Sequence, residues 1–220
     1  MQKLDFAFEN NLRSKGLKFI GGVDEVGRGS IAGPLVAACV VFAKEVELPE
    51  DIVVRDSKKM TENQRQKTCI WIKENALSWG VGEVSVDTIN KKGIVNAVTS
   101  GFYRSVKEVE GSIKGRLDYL LIDGTNIPKI REIAHVEQNA IPGADAKIFS
   151  VSAASIIAKV YRDNLMKKLG FLQEFAVYKW DKNKGYGTAE HKEAPISHGI
   201  TPHHRTQFVE SFLKEPRRKK

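Results

Sequence analysis

Asp24 and Glu25 stand next to each other in Phe19-Ile20-Gly21-Gly22-Val23-Asp24-Glu25-Val26-Gly27-Arg28-Gly29, where an apolar, strand-like run meets a glycine-rich turn. Two carboxylates supply the hard oxygen ligands that a divalent ion such as Mg2+ prefers. Arg28, between two glycines, adds a planar fork of donors suited to phosphate. Neighbouring residues on a strand point to opposite faces, so both acids serve one site only if the strand is ending and twisting there. Gly27 and Gly29 permit that twist and let backbone N–H groups approach a ligand closely. Metal plus phosphate is the chemistry suggested. The same residues would equally serve as solvated acids where a strand leaves the sheet, with the glycines shaping an ordinary turn.

Two further acids repeat the theme. Asp123 closes the apolar run Leu120-Leu121-Ile122-Asp123-Gly124, and Asp145 lies in Gly143-Ala144-Asp145-Ala146-Lys147, just ahead of a strongly apolar segment. Two divalent ions about 4 Å apart can activate water and stabilise the leaving oxygen of a phosphodiester, and four carboxylates from separate elements would suffice to hold them. Each acid also has an ordinary use: Asp123 can close an Asx turn, and Asp145 can favour a helix start through the macrodipole.

The elements that must position these acids follow from the apolar pattern. Residues 19–23 and 34–43 read as paired central strands separated by a Gly/Ser/Pro turn, which puts the acid pair at the tip of a hairpin. Thr61 can cap a helix over 62–77 that carries Ile70, Trp71 and Leu77 among its apolar positions. A third strand is expected over 79–86, a helix over 87–109, short strands over 119–122 and 133–136, and an Ala-rich helix over 150–169 apolar enough to pack deep. Beyond Gly170 the pattern weakens, and Gly185, Gly187, Pro195, Gly199 and Pro202 punctuate a surface segment before a last helix over 206–214. The order of strands and helices predicts an α/β fold, a mixed sheet flanked by helices.

Composition narrows the partner class. At 220 residues and 41% hydrophobic the chain fits one domain with a small C-terminal appendage, and Lys+Arg 35 against Asp+Glu 27 gives +8 at pH 7, which favours anionic partners such as nucleic acid. Cys39 and Cys69 show neither metal-ligand spacing nor a disulfide framework, which fits a reduced, intracellular setting. No apolar stretch reaches membrane-spanning length, and residues 1–18 lack the apolar middle of a signal peptide.

Taken together in chain order, G-V-D-E-V-G-R-G-S-I-A-G-P, D-S-K-K-M-T, L-I-D-G, A-D-A-K, S-A-A-S-I-I-A-K-V-Y-R-D, G-Y-G-T-A-E-H and T-P-H-H-R resemble type 2 ribonuclease H, ribonuclease HII, from Gly22 to Arg205. The resemblance implies a ribonuclease H-like fold with a mixed five-stranded sheet, a catalytic domain over 1–186, and a C-terminal helical extension over 187–220, packed on or beside the substrate groove and ending in a basic tail. It implies an endonuclease that hydrolyses the RNA strand of RNA/DNA hybrids and incises 5′ to single ribonucleotides embedded in duplex DNA, leaving 5′-phosphate and 3′-hydroxyl ends. Roles in ribonucleotide removal and RNA primer removal come with it; from the cysteines and the apolar pattern a cytoplasmic protein without a membrane partner is expected, with a monomer as the default. Carried over by matching position, Asp24, Glu25, Asp123 and Asp145 would be the catalytic, metal-binding carboxylates for Mg2+ or Mn2+ in a two-metal mechanism, with no histidine needed as general base.

Substrate choice needs a reader of the 2′-hydroxyl. By the resemblance that reader is Gly27, Arg28 and Gly29, while the Tyr186 ring packs on the adjoining deoxyribose and its hydroxyl meets the ribose. Ser57 and Lys58 match positions that hold substrate phosphate, and Lys59 adds charge. Ser152, Ser155, Lys159, Arg162 and Asp163 are expected as packing and helix-network residues, with no partnered base for a serine nucleophile. His203 and His204 are adjacent, a poor geometry for sharing a tetrahedral zinc site, so they and His191 are expected to organise a loop or edge the substrate. Clamp binding is not predicted, because Glu210 stands where a clamp-binding peptide wants an aliphatic residue. Ribonuclease HIII fits less well, since only a short lead precedes Gly22. The alternative reading is a non-catalytic RNA/DNA hybrid-binding module on the same fold. Clustered acids argue against it, because they would repel a phosphate backbone unless metals neutralise them.

Overall fold

The apolar runs of the chain assemble into one sheet, seen in a computed structural model that describes residues 4–43, 46–125 and 127–213. The expected basic tail, 214–220, lies outside the described residues. Strands β1 (Ile20–Val26), β2 (Leu35–Val41), β3 (Ser78–Val84), β4 (Tyr119–Asp123) and β5 (Glu137–Ile141) are ordered β3-β2-β1-β4-β5. The β1/β2 and β2/β3 pairs are antiparallel, while β1/β4 and β4/β5 are parallel. This is the mixed five-stranded α/β architecture expected from the sequence.

Strand alternation sends two sets of side chains to two cores. Val23, Leu35, Ala37 and Cys39 meet Val98, Phe102 and Val106 of α4 (Ile94–Ile113) on one face. On the other, Val36, Ala38 and Val40 meet Ile72 of α2 (Glu62–Asn75) and Ala153, Ile157 and Val160 of α5 (Phe149–Gly170). Gly22 lets α5 lie directly on β1: a Cβ there would sit 2.4 Å from the Ser150 carbonyl carbon and the Val151 nitrogen. Gly22→Ala is therefore expected to cost about 3 kcal/mol, read as a lowered urea midpoint, because backbone cannot give way as a flexible side chain can.

Several expected boundaries are corrected. Strand β1 runs through Val26, so Asp24 and Glu25 lie inside it, paired with Ala38 and Ala37, and not at a hairpin tip. Helix α2 ends at Asn75, with Ile70 and Leu77 exposed and Trp71 and Ile72 buried. The helix expected over 87–109 is two, α3 (Val86–Lys92) and α4, divided at Gly93, whose φ of 79° leaves the helical region. The fifth strand is Glu137–Ile141, while Ile133 and Val136 of the expected 133–136 strand are core plugs.

Three helices have no counterpart among the expectations. Helix α1 (Ala7–Ser14) carries the buried Glu9, whose Oε1 accepts from the Ser150 N–H at 2.8 Å. Since α5 has no side-chain cap of its own, this distant acid satisfies one of its orphan N–H groups. Within the presumed surface segment, α7 (Ala189–His198) forms behind Thr188, which caps it; a four-residue helix α6 (Trp180–Asn183) precedes it and α8 (Thr206–Leu213) follows.

Candidate active site

Parallel pairing of β1 with β4 stops at Val23 beside Ile122, so the next residues, Asp24 inside β1 and Asp123 at the end of β4, arrive side by side where the two strands part. Asp24 and Glu25 leave β1 towards opposite faces, yet both reach the same cleft of about 620 Å³, because the cleft opens at the end of the sheet and takes Asp123 as its third acid. Asp24 is buried on the α5 side of the sheet, where Ser155 hydrogen-bonds its carboxylate. Its Oδ1 also accepts from the Glu25 N–H at 2.7 Å. Glu25 faces an ion pair with Arg28 at 3.6 Å.

Asp145 stands slightly apart. It sits on a single helical turn, 144–146, tied to the end of β4 by the Ala144 N–H, which donates to Asp123 Oδ1 at 2.7 Å. Asp145 feels the charges of Asp123 and Lys58 but does not line the cleft. Among the described residues, no three His, Cys, Asp or Glu groups are gathered closely enough to hold an ion among them.

Electrostatics supplies the test of whether this donor set suits a metal. Burial, then Glu25 and Asp123, push the Asp24 carboxyl well above its ordinary value. Burial pushes Glu25 up to about 7, with Arg28 opposing and Asp123 adding to the rise. Asp145 is raised by burial and by Asp123. Burial works against the Lys58 ammonium, yet Asp145, Asp24, Asp56 and Asp123 together hold it above its ordinary value. Crowded oxygen-only acids with too little cationic compensation are the donor chemistry of a hard divalent ion, so the residues fit one in atom type and charge, while their spacing here does not yet gather three of them around a point.

The other residues expected at the site arrive from three directions. Gly27, Arg28 and Gly29 line the cleft, and Gly27 has φ 93°. A side chain at Gly27 would also strike the Arg162 guanidinium, 2.2 Å from its Nε. Ser57 and Lys58 line the opposite wall, the Ser57 hydroxyl lying 2.9 Å from that of Ser155. Lys59 points elsewhere, exposed and paired with Asp56 at 3.7 Å, so the charge expected of it falls outside the cleft lining.

Tyr186 closes the third side, its ring 5.4 Å from both Lys159 Nζ and Arg162 Cζ. His191 pins its backbone. Because His191 Nε2 accepts from Trp180 Nε1 at 2.9 Å, its Nδ1 carries the proton and donates to the Tyr186 carbonyl at 2.9 Å.

Sequence reasoning passed over Arg65, which lines the cleft and donates to the Ser57 carbonyl at 3.1 Å, and treated Ser155 and Lys159 as helix packing although both line it. Lys159 is held by Asp163 at 2.9 Å. Their spacing on α5, Ser155 then Lys159 four residues on, was the available signal: one helical face turned to the site.

The histidines organise the loop, and one of them makes stability depend on pH. His204 is buried, and burial, with His191 and His203 adding to it, lowers it to about 4 from 6.5. Between those values the unfolded chain takes up a proton that the fold refuses, so stability rises with pH there. The urea midpoint should fall as pH drops from 6.5 towards 4, and His204→Asn should remove part of that slope.

Comparison with known proteins follows the same lines. A model of the family described as Ribonuclease HII matches residues 21–212. The chain is 42% identical over 207 residues to the ribonuclease HII of Caldanaerobacter subterraneus subsp. tengcongensis, covering 94% of this chain and 80% of that protein. A chain in the structure of the PCNA:RNase HII complex from Archaeoglobus fulgidus matches with a TM-score of 0.70 at 25% identity, over 92% of this chain and 98% of that one. Bst-RNase HIII, solved in complex with Mn2+, is similar in fold alone, with a TM-score of 0.66 at 19% identity over 90% of this chain and 70% of that one.

Proposed function

The chain belongs to the ribonuclease HII family, endonucleases that hydrolyse RNA in RNA/DNA hybrids, and from that premise we propose that it also incises 5′ to single ribonucleotides embedded in duplex DNA. The observation that carries the reading is the meeting of Asp24, Glu25 and Asp123 with the Gly27-Arg28-Gly29 turn and Tyr186 around one cleft. Acids for the phosphate chemistry and groups able to test a sugar thus share a wall.

Asp24, Glu25, Asp123 and Asp145 would hold Mg2+ or Mn2+, with Asp145 brought in by the turn that its neighbour Ala144 anchors to Asp123. Bound there as a pair, such ions supply activation of water and neutralisation of charge on the leaving oxygen, giving 5′-phosphate and 3′-hydroxyl ends. Ser57, Lys58 and Arg65 draw the substrate phosphates into the cleft, and the fields of four acids keep Lys58 charged. Among the described residues lining the cleft there is no histidine, in keeping with chemistry that needs no imidazole base.

The Gly27-Arg28-Gly29 backbone meets the 2′-hydroxyl, and Tyr186 packs on the deoxyribose that follows. The C-terminal extension, expected over 187–220 and described as far as 213, is proposed to lie beside the groove; in support, His203 and Arg205 bond backbone to backbone with Gly33 and Ile31. The protein is proposed to act as a monomer in the cytoplasm, in ribonucleotide and primer removal. No described helix is long and apolar enough to cross a membrane.

End-group analysis of a cleaved uniform RNA/DNA hybrid tests the chemistry. Ends that a polymerase can extend, formed with Mg2+ or Mn2+ and abolished by chelation, are expected. Cyclic 2′,3′-phosphate ends, or cleavage indifferent to chelator, would contradict it, because they signal attack by the substrate's own 2′-hydroxyl.

A further inference from the structure

The Gly27-Arg28-Gly29-Ser30 segment is a β-turn, closed by the Ser30 N–H on the Gly27 carbonyl at 3.3 Å. Its central peptide joins Arg28 to Gly29. The two common turn types differ by a flip of that peptide, and the second needs positive φ at the third residue, which glycine accepts freely. Gly29 is absent from the positive-φ residues and a Cβ there would meet nothing within 4 Å, so neither sterics nor packing at Gly29 prevents the flip.

Something else must hold the peptide, and Arg205 is placed to do it. Its side chain is fully buried, and its Nη1 donates to the Arg28 carbonyl at 3.1 Å. Nε and Nη2 both donate to the Gly33 carbonyl, at 3.0 and 2.9 Å, across the base of the same loop. The Arg205 backbone N–H adds a bond to Ile31 at 2.8 Å, and Ala32 and His204 form a bridge beside it. The guanidinium makes no ion pair with a carboxylate among the described residues; its donors serve this loop. A planar trans peptide points its N–H opposite to its C=O. With the Arg28 carbonyl turned inward to Arg205, the Gly29 N–H is turned away from the interior, at a residue that lines the cleft.

We infer that Arg205 is a positioning residue for ribose recognition, locking the Arg28–Gly29 peptide with its N–H presented to the sugar. The inference rests on the proposal above that this turn reads the 2′-hydroxyl. It gives the T-P-H-H-R motif a task distinct from metal or phosphate binding: a buried guanidinium 177 residues away in sequence decides which face of the turn the substrate meets.

The test measures affinity, with Ca2+ supplied to neutralise the acids in place of Mg2+ or Mn2+, for a short DNA duplex carrying one ribonucleotide and for the same duplex in all-deoxy form. Arg205→Lys keeps the charge but cannot bridge both carbonyls, and Arg205→Gln keeps donors without the fork. Either variant is expected to lower the ribose-to-deoxyribose affinity ratio about tenfold, the effect of losing one buried hydrogen bond to a charged donor, while affinity for the all-deoxy duplex stays near wild type. A folded variant that keeps the wild-type ratio would overturn the inference while leaving the turn as reader. Equal loss on both duplexes would overturn it too, as would failure of both variants to fold, since Arg205 would then have no role separable from stability. A wild-type protein with no preference for ribose would instead sink the reading of the turn itself.

Discussion

Asp24→Asn is expected to fold, to bind hybrid within a few-fold of wild type, and to lose turnover by a factor on the order of 10³, because the metal-borne stabilisation that we propose it helps to hold is worth several kcal/mol and each 1.4 kcal/mol is tenfold. Asparagine matches the shape of aspartate, can still accept the Glu25 N–H, and can still meet Ser155 beneath it. What it lacks is the charge, at the point where β1 and β4 bring two acids together. The variant removes one of several crowded, buried acids, so in the absence of divalent ions it should melt no lower than wild type. Single-turnover kinetics with a gel-shift control separates the two effects. Near-normal turnover would take Asp24 out of the metal site, and loss of binding in step with turnover would make it a substrate contact.

Tyr186→Ala should act differently. Its ring lies at the cleft between Lys159 and Arg162, where it can pack on a sugar, and the effect is scaled on the roughly 1–3 kcal/mol that an aromatic ring contributes when stacked on a nucleobase. The loss in kcat/KM is expected to be about 10- to 100-fold on a duplex with one ribonucleotide, and clearly smaller on a long hybrid, where many registers are available and no RNA-DNA junction has to be found. Tyr186→Phe removes only the hydroxyl, so it isolates the share that comes from contact with the ribose. Equal losses of Tyr186→Ala on both substrates would refute the junction role and leave Tyr186 as a wall of the loop pinned by His191.

How much of this was legible beforehand differs by element. The apolar runs of β1, β2, β4 and α5 were readable because burial on both sides leaves little polar interruption, and the acids at the ends of two of them marked the site. Strand β5 was not, since Glu137-Gln138-Asn139 carries the polar side chains of an edge strand, while the more strand-like Ile133 and Val136 just before it plug the core. Helix α7 was hidden by Pro195 and flanking glycines, which read as breakers although Thr188 caps the helix in the usual way. Gly93 was invisible inside a helical period because periodicity carries no information on φ.

The site residues divide in the same manner. Asp24, Glu25, Asp123, Ser57, Lys58 and Tyr186 were named from the sequence and do line one cleft. Asp145 was named on a short motif, and the structure places it beside the cleft, within the field of Asp123. Arg65 and Arg205 act through contacts with distant backbone, to Ser57 from the next helix and to Arg28 from the far end of the chain. Pairings of that kind are set by the fold and leave no local pattern to read. The same holds for Glu9, an acid near the start of the chain that caps the helix carrying Ser155 and Lys159.

The most direct test of the account gives the purified, folded protein a DNA duplex with a single embedded ribonucleotide, with Mg2+ or Mn2+, and maps the cut to the nucleotide. One incision immediately 5′ to the ribonucleotide, leaving a 3′-hydroxyl on one side and a 5′-phosphate on the other and absent from the all-deoxy duplex, is the predicted result. Efficient cutting of a uniform hybrid with no incision of the single-ribonucleotide duplex under either metal would contradict it.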